Sequence, residues 1–493
     1  MSPITQKLRT GIVGLDDILS GGLTRGATFL LEGQPGTGKT TAALQFLLHA
    51  IEGGERALYV TLSENKQELT NTATSHGWSF GDEVQILELQ ASEAFLDPDQ
   101  QQTLLYSSDL ELDETTKQIV DAIRRTNSTV VVLDSLSEIR LLAQGSLRYR
   151  RQLLALKHFF ANRVATVLLL DDLTADATDK TAHSIVHGVF RLEELSPQYG
   201  AERRRLKVVK YRGQAYRGGY HDFTIRTGGL EVYPRLIAAE HRTDFEVTLV
   251  KSGVQGLDDQ LCGGIDKGSS TLILGPAGAG KTVLALQYVK EAVARNEKAA
   301  MFVFDEDVSI LIRRARAMGI DVDALREVGT LTLSQVDAAE LSPGEFAHRV
   351  REAVDKKRVG TVVIDSLNGY RAAMPEESSL TLHIHELLLY LNRRGTSTFL
   401  TVAQHGLVGD MQSPVDVTYL ADCVVLLRFF EAAGRVRRAI SVVKKRTGAH
   451  EDSIRELQIS KESLNVGEPL HEFQGILRGV PTFVGLASQM IKE

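Results

Sequence analysis

Gly33-Gln34-Pro35-Gly36-Thr37-Gly38-Lys39-Thr40 is the stretch that decides the fold. It follows the apolar run Ala27-Thr28-Phe29-Leu30-Leu31 and leads into Thr41-Ala42-Ala43-Leu44-Gln45-Phe46-Leu47-Leu48. The order is strand, glycine-rich loop and helix start, with the spacing G-x-x-x-x-G-K-T. Glycines let backbone N–H groups curl around a phosphate, and the helix N-terminus adds its dipole. This assigns Gly33, Gly36, Gly38, Lys39, Thr40 and Thr41 to a nucleotide. Lys39 reaches the β- and γ-phosphates and the Thr40 hydroxyl holds Mg²⁺, so ATP and Mg²⁺ are the expected ligands.

The loop occurs twice. Gly275-Pro276-Ala277-Gly278-Ala279-Gly280-Lys281-Thr282-Val283 repeats it, and Gly256-Leu257-Asp258-Asp259 repeats Gly14-Leu15-Asp16-Asp17. Lys39 and Lys281, Gly14 and Gly256, and Gly21 and Gly263 are each 242 positions apart. A period this long marks two whole domains, not a solenoid of small repeats. The second site is therefore Gly275, Gly278, Gly280, Lys281, Thr282 and Val283, with Thr282 on the metal. The boundary is expected between Tyr233-Pro234 and Phe245, giving domains 1–238 and 239–493.

Further apolar runs alternate with helical patterns. Ala57–Leu62 ends in Ser63-Glu64, and its counterpart Ala299–Phe304 ends in Asp305-Glu306. Thr129–Leu133 ends in Asp134-Ser135, and Thr361–Ile364 in Asp365-Ser366. Near-continuous apolar strands alternating with helices predict an α/β fold, with parallel sheets flanked by helices on both faces. Acids at the carboxyl ends of such strands lie where these sheets bind ligands. Asp134 and Asp365 are the expected second Mg²⁺ contacts. Ala165–Leu170 and Thr398–Ala403 are further strands. Asp113–Arg125 reads as a helix, Ser342-Pro343-Gly344-Glu345 as the cap of another, and the acidic Asp97–Asp113 as a loop. Each copy ends in a basic strand, Arg205–Gly213 with Lys210 and Arg212, and Ala439–Thr447 with Lys444 and Arg446. Lys-x-Arg spacing puts both side chains on one strand face.

Composition narrows the function classes. The chain has 493 residues, 43% hydrophobic and 24% charged, and a formal net charge of −7. That acidic balance argues against a surface built for nucleic acid. Two cysteines, Cys262 and Cys423, make no disulfide framework. The first residues lack the apolar core of a secretory signal, and no run suffices for a membrane span, so a cytoplasmic protein is expected.

Together the two loops, the GLDD…GG lead-ins, the strand-end acids and the terminal Lys-x-Arg strands resemble the KaiC family of RecA-like ATPases, from about Lys7 to Ser488. The resemblance implies two tandem RecA-like P-loop NTPase domains in a homohexameric double ring, with ATP at the subunit interfaces. It implies catalytic carboxylates at Glu64 in the first domain and at Asp305 and Glu306 in the second. It also implies that Lys210, Arg212, Lys444 and Arg446 reach a neighbour's γ-phosphate. Two departures bear on chemistry. Ser63 leaves one acid where the family has a pair, implying slow hydrolysis or altered water positioning in the first domain. At the family's autophosphorylated Ser-Thr pair this chain has Thr418-Tyr419, so Thr418 is the candidate phosphosite of a serine/threonine autokinase that serves as a signalling switch for partner proteins. The long tail by which some family members bind a regulator is expected to be absent after Pro481-Thr482-Phe483.

Rival readings are a DNA-dependent recombinase or helicase motor, and a nucleotide-gated scaffold without phosphotransfer. His383-Ile384-His385 does not present two ligands on one helix face and is not expected to bind metal. Arg148-Tyr149-Arg150-Arg151 reads as a solvated or subunit-interface face. Ser135 and Ser366 lack a base in their sequence context.

Overall fold

The computed structural model describes residues 6–79, 81, 83–89, 104–173, 180–197, 200–372, 377–404, 418–432, 434–460, 463–478 and 482–484. Contacts divide the chain into two compact units, Met1–Arg235 and Leu236–Glu493.

The first unit is built on one nine-stranded sheet. Its main elements are β1 (Thr28–Gly33), α1 (Lys39–Glu52), β2 (Ala57–Thr61), α2 (Lys66–Ser75) and β3 (Val84–Glu88). Next come α3 (Leu104–Thr126), β4 (Val130–Asp134), α4 (Leu136–Ala143), α5 (Ser146–Asn162) and β5 (Thr166–Asp172). After a short helix, Thr181–Ile185, come β6 (Gly188–Leu195), β7 (Arg203–Tyr211), β8 (Tyr220–Arg226) and β9 (Gly229–Tyr233). The strand order is β9-β8-β7-β6-β1-β5-β4-β2-β3. Strands β1 to β6 pair in parallel, whereas β7, β8 and β9 extend the sheet antiparallel beyond β6.

Successive residues of the parallel strands point to opposite faces, and both faces are buried. Phe29, Leu31, Tyr59, Val130 and Val132 pack with Ala42, Ala43, Phe46 and Leu47 of α1. Leu30, Leu58, Val60, Val131 and Leu133 pack on the other face with Ile119, Ile123, Ile139, Leu153, Leu156, Ala182 and Ile185.

The second unit repeats this plan. It contains β10 (Ser270–Gly275), α6 (Lys281–Ala294), β11 (Lys298–Val303), α7 (Val308–Ala317) and β12 (Leu331–Gln335). There follow α8 (Pro343–Asp355), β13 (Val359–Asp365), α9 (Leu367–Ala372), α10 (Glu377–Arg393) and β14 (Ser397–Ala403). The antiparallel end is β15 (Cys423–Ala432), β16 (Arg435–Lys445), β17 (Arg455–Ile459) and β18 (Leu464–Pro469). Strand order is β12-β11-β13-β14-β10-β15-β16-β17-β18, so β15 is the sixth parallel strand and β16 to β18 are antiparallel.

The sheets are helix-flanked and mostly parallel as expected, and each basic strand extends its sheet antiparallel as the hairpin partner of the last parallel strand. Two other expectations change. Strand β5 runs to Asp172, two residues past the apolar run. The polar stretch expected to be a loop up to Asp113 is helical from Leu104, as the start of the 23-residue α3; the remainder, 97–103, lies outside the described residues. Leu112, buried beside Ile119 and Ile123, continues the apolar stripe one heptad upstream, which is why the helix extends through an acidic sequence. Ser342 caps α8 as expected, accepting the Glu345 N–H at 3.2 Å with Pro343 in the first turn.

Candidate nucleotide sites

Both phosphate loops leave the carboxyl end of the central strand and enter a helix. Gly38 and Gly280 take φ of +95° and +108° at the N-caps of α1 and α6. A Cβ on either would lie 2.5 Å from Ile225 Cδ1 or 2.4 Å from Ile459 Cδ1 respectively. Conformation and space both demand glycine there.

In the first site the Lys39 ammonium donates to the carbonyls of Gly33 at 2.9 Å and Gln34 at 3.0 Å. It also pairs with Asp172 at 2.7 Å. Asp134, at the end of the adjacent-but-one strand, accepts the Tyr59 hydroxyl at 2.6 Å. Burial pushes the Asp134 carboxyl up and outweighs the opposing pull of Tyr59, Lys39 and Thr40. The Thr40 hydroxyl and the Asp134 carboxylate are hard oxygen donors, the kind that suits Mg²⁺. Glu64 lies in the field of Asp134, Glu68 and Asp172, and burial first, then these acids, raises its pKa. Glu64 Oε2 is buried and has no hydrogen-bond partner among the described residues, an acceptor left for a molecule from outside. Thr41 packs under His76, with Thr41 Oγ1 3.3 Å from His76 Nε2.

The second site differs in its charges. Lys281 donates to Pro276 O at 2.9 Å, and burial lowers its pKa against the field of Asp365. Asp365 accepts the Thr401 hydroxyl. Asp305 accepts the Ser366 hydroxyl, and Glu306 pairs with Arg314 of α7. Ser366 therefore positions a carboxylate. Thr282 follows Lys281 in the first turn of α6, while the Val283 side chain joins the apolar core and leaves only backbone for a ligand. Asp172 pairs with Gly33 in the sheet register, whereas the residue paired with Gly275 is Ala403, so that register position holds no acid in the second unit.

The basic pairs serve neither of these loops within their own unit. Lys210 donates to His183 O and, at 2.8 Å, to Val186 O, while Arg212 donates to Ser184 O at 2.8 Å. Lys444 donates to Thr418 O and Ala421 O, both at 2.8 Å, and Arg446 to Tyr419 O. Arg212 N–H bonds His187 O and His187 N–H bonds Thr28 O, so this backbone is level with the amino end of β1. The loop begins at the other end, five residues or about 16 Å along the strand. Arg446, Asp422 and Ser270 repeat that arrangement in the second unit.

Several site residues were invisible to sequence reasoning. Tyr59, Asp172 and Arg314 carry no motif, and Asp171-Asp172 at the end of an apolar run was the only signal for an acid beside Lys39. His383 is half-buried beside the Tyr370 hydroxyl, and desolvation lowers its pKa to about 4. Among the described residues no group of three or more His, Cys, Asp or Glu side chains is placed to hold a metal ion. Tyr149 of the basic cluster is buried in the core, with Arg140 over its ring. No helix among the described residues is long and apolar enough to cross a membrane.

Comparison with known proteins agrees with this geometry. The family profile described as "ATPase: KaiC" matches residues 8–237 and 250–471. The "Circadian clock oscillator protein KaiC" of Picosynechococcus is 29% identical over 98% of this chain and 93% of its own length. The protein of the same name from Synechococcus elongatus is 28% identical, over 97% and 92%. "Circadian clock protein KaiC3" of Synechocystis is 26% identical, over 97% and 95%.

Proposed function

The chain belongs to the KaiC family of ATPases, and we propose that it is an ATP-hydrolysing ring protein whose second unit phosphorylates Thr418 of a neighbouring copy. The observation that carries this reading is the placement of Lys444 and Arg446. They grip the Thr418–Ala421 backbone at the amino end of the sheet, a strand's length from their own loop. A cation there meets a γ-phosphate only when another copy presents its loop, and Thr418 arrives with it. A homohexamer with ATP at each interface satisfies this geometry all round the ring.

In this mechanism Lys281 and the loop N–H groups bind the phosphates of ATP, and Asp305 or Glu306 accepts the proton of the attacking Thr418 hydroxyl. Lys444 and Arg446 offset the charge that spreads over the transferring group. Mg²⁺, when bound at Thr40 and Asp134 or at Thr282 and Asp365, supplies further neutralisation of phosphate charge. In the first unit Glu64 orients a water, and that site hydrolyses ATP. The relatives are named circadian clock proteins, and in this reading the chain is a signalling switch that acts on partner proteins in the cytoplasm.

Incubation with ATP and Mg²⁺ followed by mass spectrometry tests the kinase step, with phosphate expected on Thr418. A chain that hydrolyses ATP and carries no phosphate there is a nucleotide-gated scaffold. Asp305→Asn with Glu306→Gln is expected to abolish the phosphate and keep the ring, and normal phosphorylation of that variant refutes the carboxylate assignment. Strong, salt-sensitive stimulation of ATPase by single-stranded DNA would replace the whole reading with the motor.

A further inference from the structure

The two units hold different residues at one equivalent place. Lys210 bonds the carbonyls of residues 183 and 186, Arg212 that of 184, and the Arg212 N–H that of 187. Lys444 bonds the carbonyls of 418 and 421, Arg446 that of 419, and the Arg446 N–H that of 422. Four matching bonds superpose His183 on Thr418. On the reading that Thr418 is the phosphoryl acceptor of the second ring, we propose that His183 is the phosphoryl acceptor of the first, forming a phosphohistidine.

The surroundings of His183 suit a nucleophile. Its Nε2 lies 2.6 Å from Glu32 Oε2. Glu32 is 2% exposed and also accepts from Arg191 Nε at 2.7 Å. Burial works against a charged Glu32, but the bonds from His183 and Arg191 outweigh it and lower its pKa. An ionised carboxylate only accepts, so Nε2 carries a proton, and in the neutral imidazole, the form that attacks, the lone pair sits on Nδ1. The equivalent positions of the second unit hold no such device. Leu274 and Leu426 are the register equivalents of Glu32 and Arg191, and a threonine needs no tautomer fixed.

The step balances without a base. The Nδ1 lone pair attacks the γ-phosphorus of ATP held by the neighbouring copy, and an N–P bond forms. The bond from γ-phosphorus to the β,γ-bridging oxygen breaks, and ADP leaves with the electron pair. Nε2 keeps its proton, and Glu32 balances the imidazolium charge. Thr418 must instead lose a proton as it attacks, which calls for the acids at Asp305 and Glu306. The first unit, with Ser63 beside Glu64, keeps a single acid, and a histidine acceptor does not call on it.

The two acceptors are separable by chemistry, since phosphohistidine is acid-labile and alkali-stable whereas phosphothreonine survives acid. The full chain is incubated with γ-labelled ATP and Mg²⁺, and acid-labile and acid-stable phosphate are counted and mapped at alkaline pH. The expected result is acid-labile phosphate on His183 as well as acid-stable phosphate on Thr418. His183→Ala should lose only the labile fraction, and Glu32→Gln should cut it about tenfold, since the tautomer is then no longer held by a charge-assisted bond. Phosphate on Thr418 alone overturns this inference and leaves the kinase reading standing. Phosphate on neither residue overturns both. Undiminished labelling of His183 in Glu32→Gln refutes the role given to Glu32.

Discussion

Asp172 and Lys39 make the first phosphate loop self-neutralised, and Asp172→Ala should make it bind ATP more tightly. The ion pair is 2.7 Å long, with Lys39 nearly buried and the Asp172 side chain 32% exposed. Incoming phosphates take the place of that carboxylate on the ammonium. A pair of this partial exposure is worth about 1 kcal/mol after solvent screening, and that energy corresponds to about fivefold in Kd. The measurement is a titration with a fluorescent ATP analogue in a Lys281→Ala background, which removes the second loop's lysine. Asp172→Ala should lower Kd about fivefold, and the gain should shrink as salt is raised. The reciprocal change is available at the register equivalent: Ala403→Asp, in a Lys39→Ala background, should weaken the second site by a similar factor. If Asp172→Ala weakens binding instead, Asp172 serves the bound nucleotide and the argument from competition is wrong.

Tyr59→Phe removes the buried bond to Asp134 and should cost about 1.5–3 kcal/mol, the range for hydrogen bonds to charged groups; calorimetry should show a lower Tm, with first-site Mg²⁺-ATP affinity falling alongside. Glu64 must be ionised to orient water, and its pKa is raised, so first-site hydrolysis measured with the second loop disabled should fail on acidification at a higher pH than an ordinary glutamate would dictate. The stability consequence has the opposite sense. Between the usual glutamate value and the raised one the folded chain binds the extra proton, so stability falls as pH rises through that window. Glu64→Gln should therefore raise Tm at neutral pH while abolishing hydrolysis at that site. Gly38→Ala and Gly280→Ala each force a side chain into positive φ and against an isoleucine methyl; each should abolish nucleotide binding at its own site and destabilise its unit by about 1–3 kcal/mol.

Much of the architecture was legible because its signals are local. A loop of fixed spacing, strands of four to six apolar residues and helices with a 3.6 period all lie within short windows. What escaped is long-range. Glu32 meets His183 and Arg191 across about 150 residues of sequence, and Asp172 meets Lys39 only because β5 and β1 are neighbours in register. Arg314 reaches Glu306 over eight residues, yet nothing in the sequence singles it out among three arginines of one helix. The first turns of α3 were missed for another reason: between Leu112 and Ile119 no side chain is buried, so the stripe is too sparse there for a period to register.

The strand order has a kinetic corollary. The central strand β1 is flanked by β5 and β6, whose partners in register lie about 140 and 160 residues later. The innermost ladder of the first unit therefore closes only after most of that unit has been synthesised. Such distant pairings place each unit among slow-folding topologies, since loop closure must precede the contacts that reward it. The strands made earliest wait longest with their edges unpaired, so β1, the strand that carries the phosphate loop, is the segment most in need of protection on the ribosome.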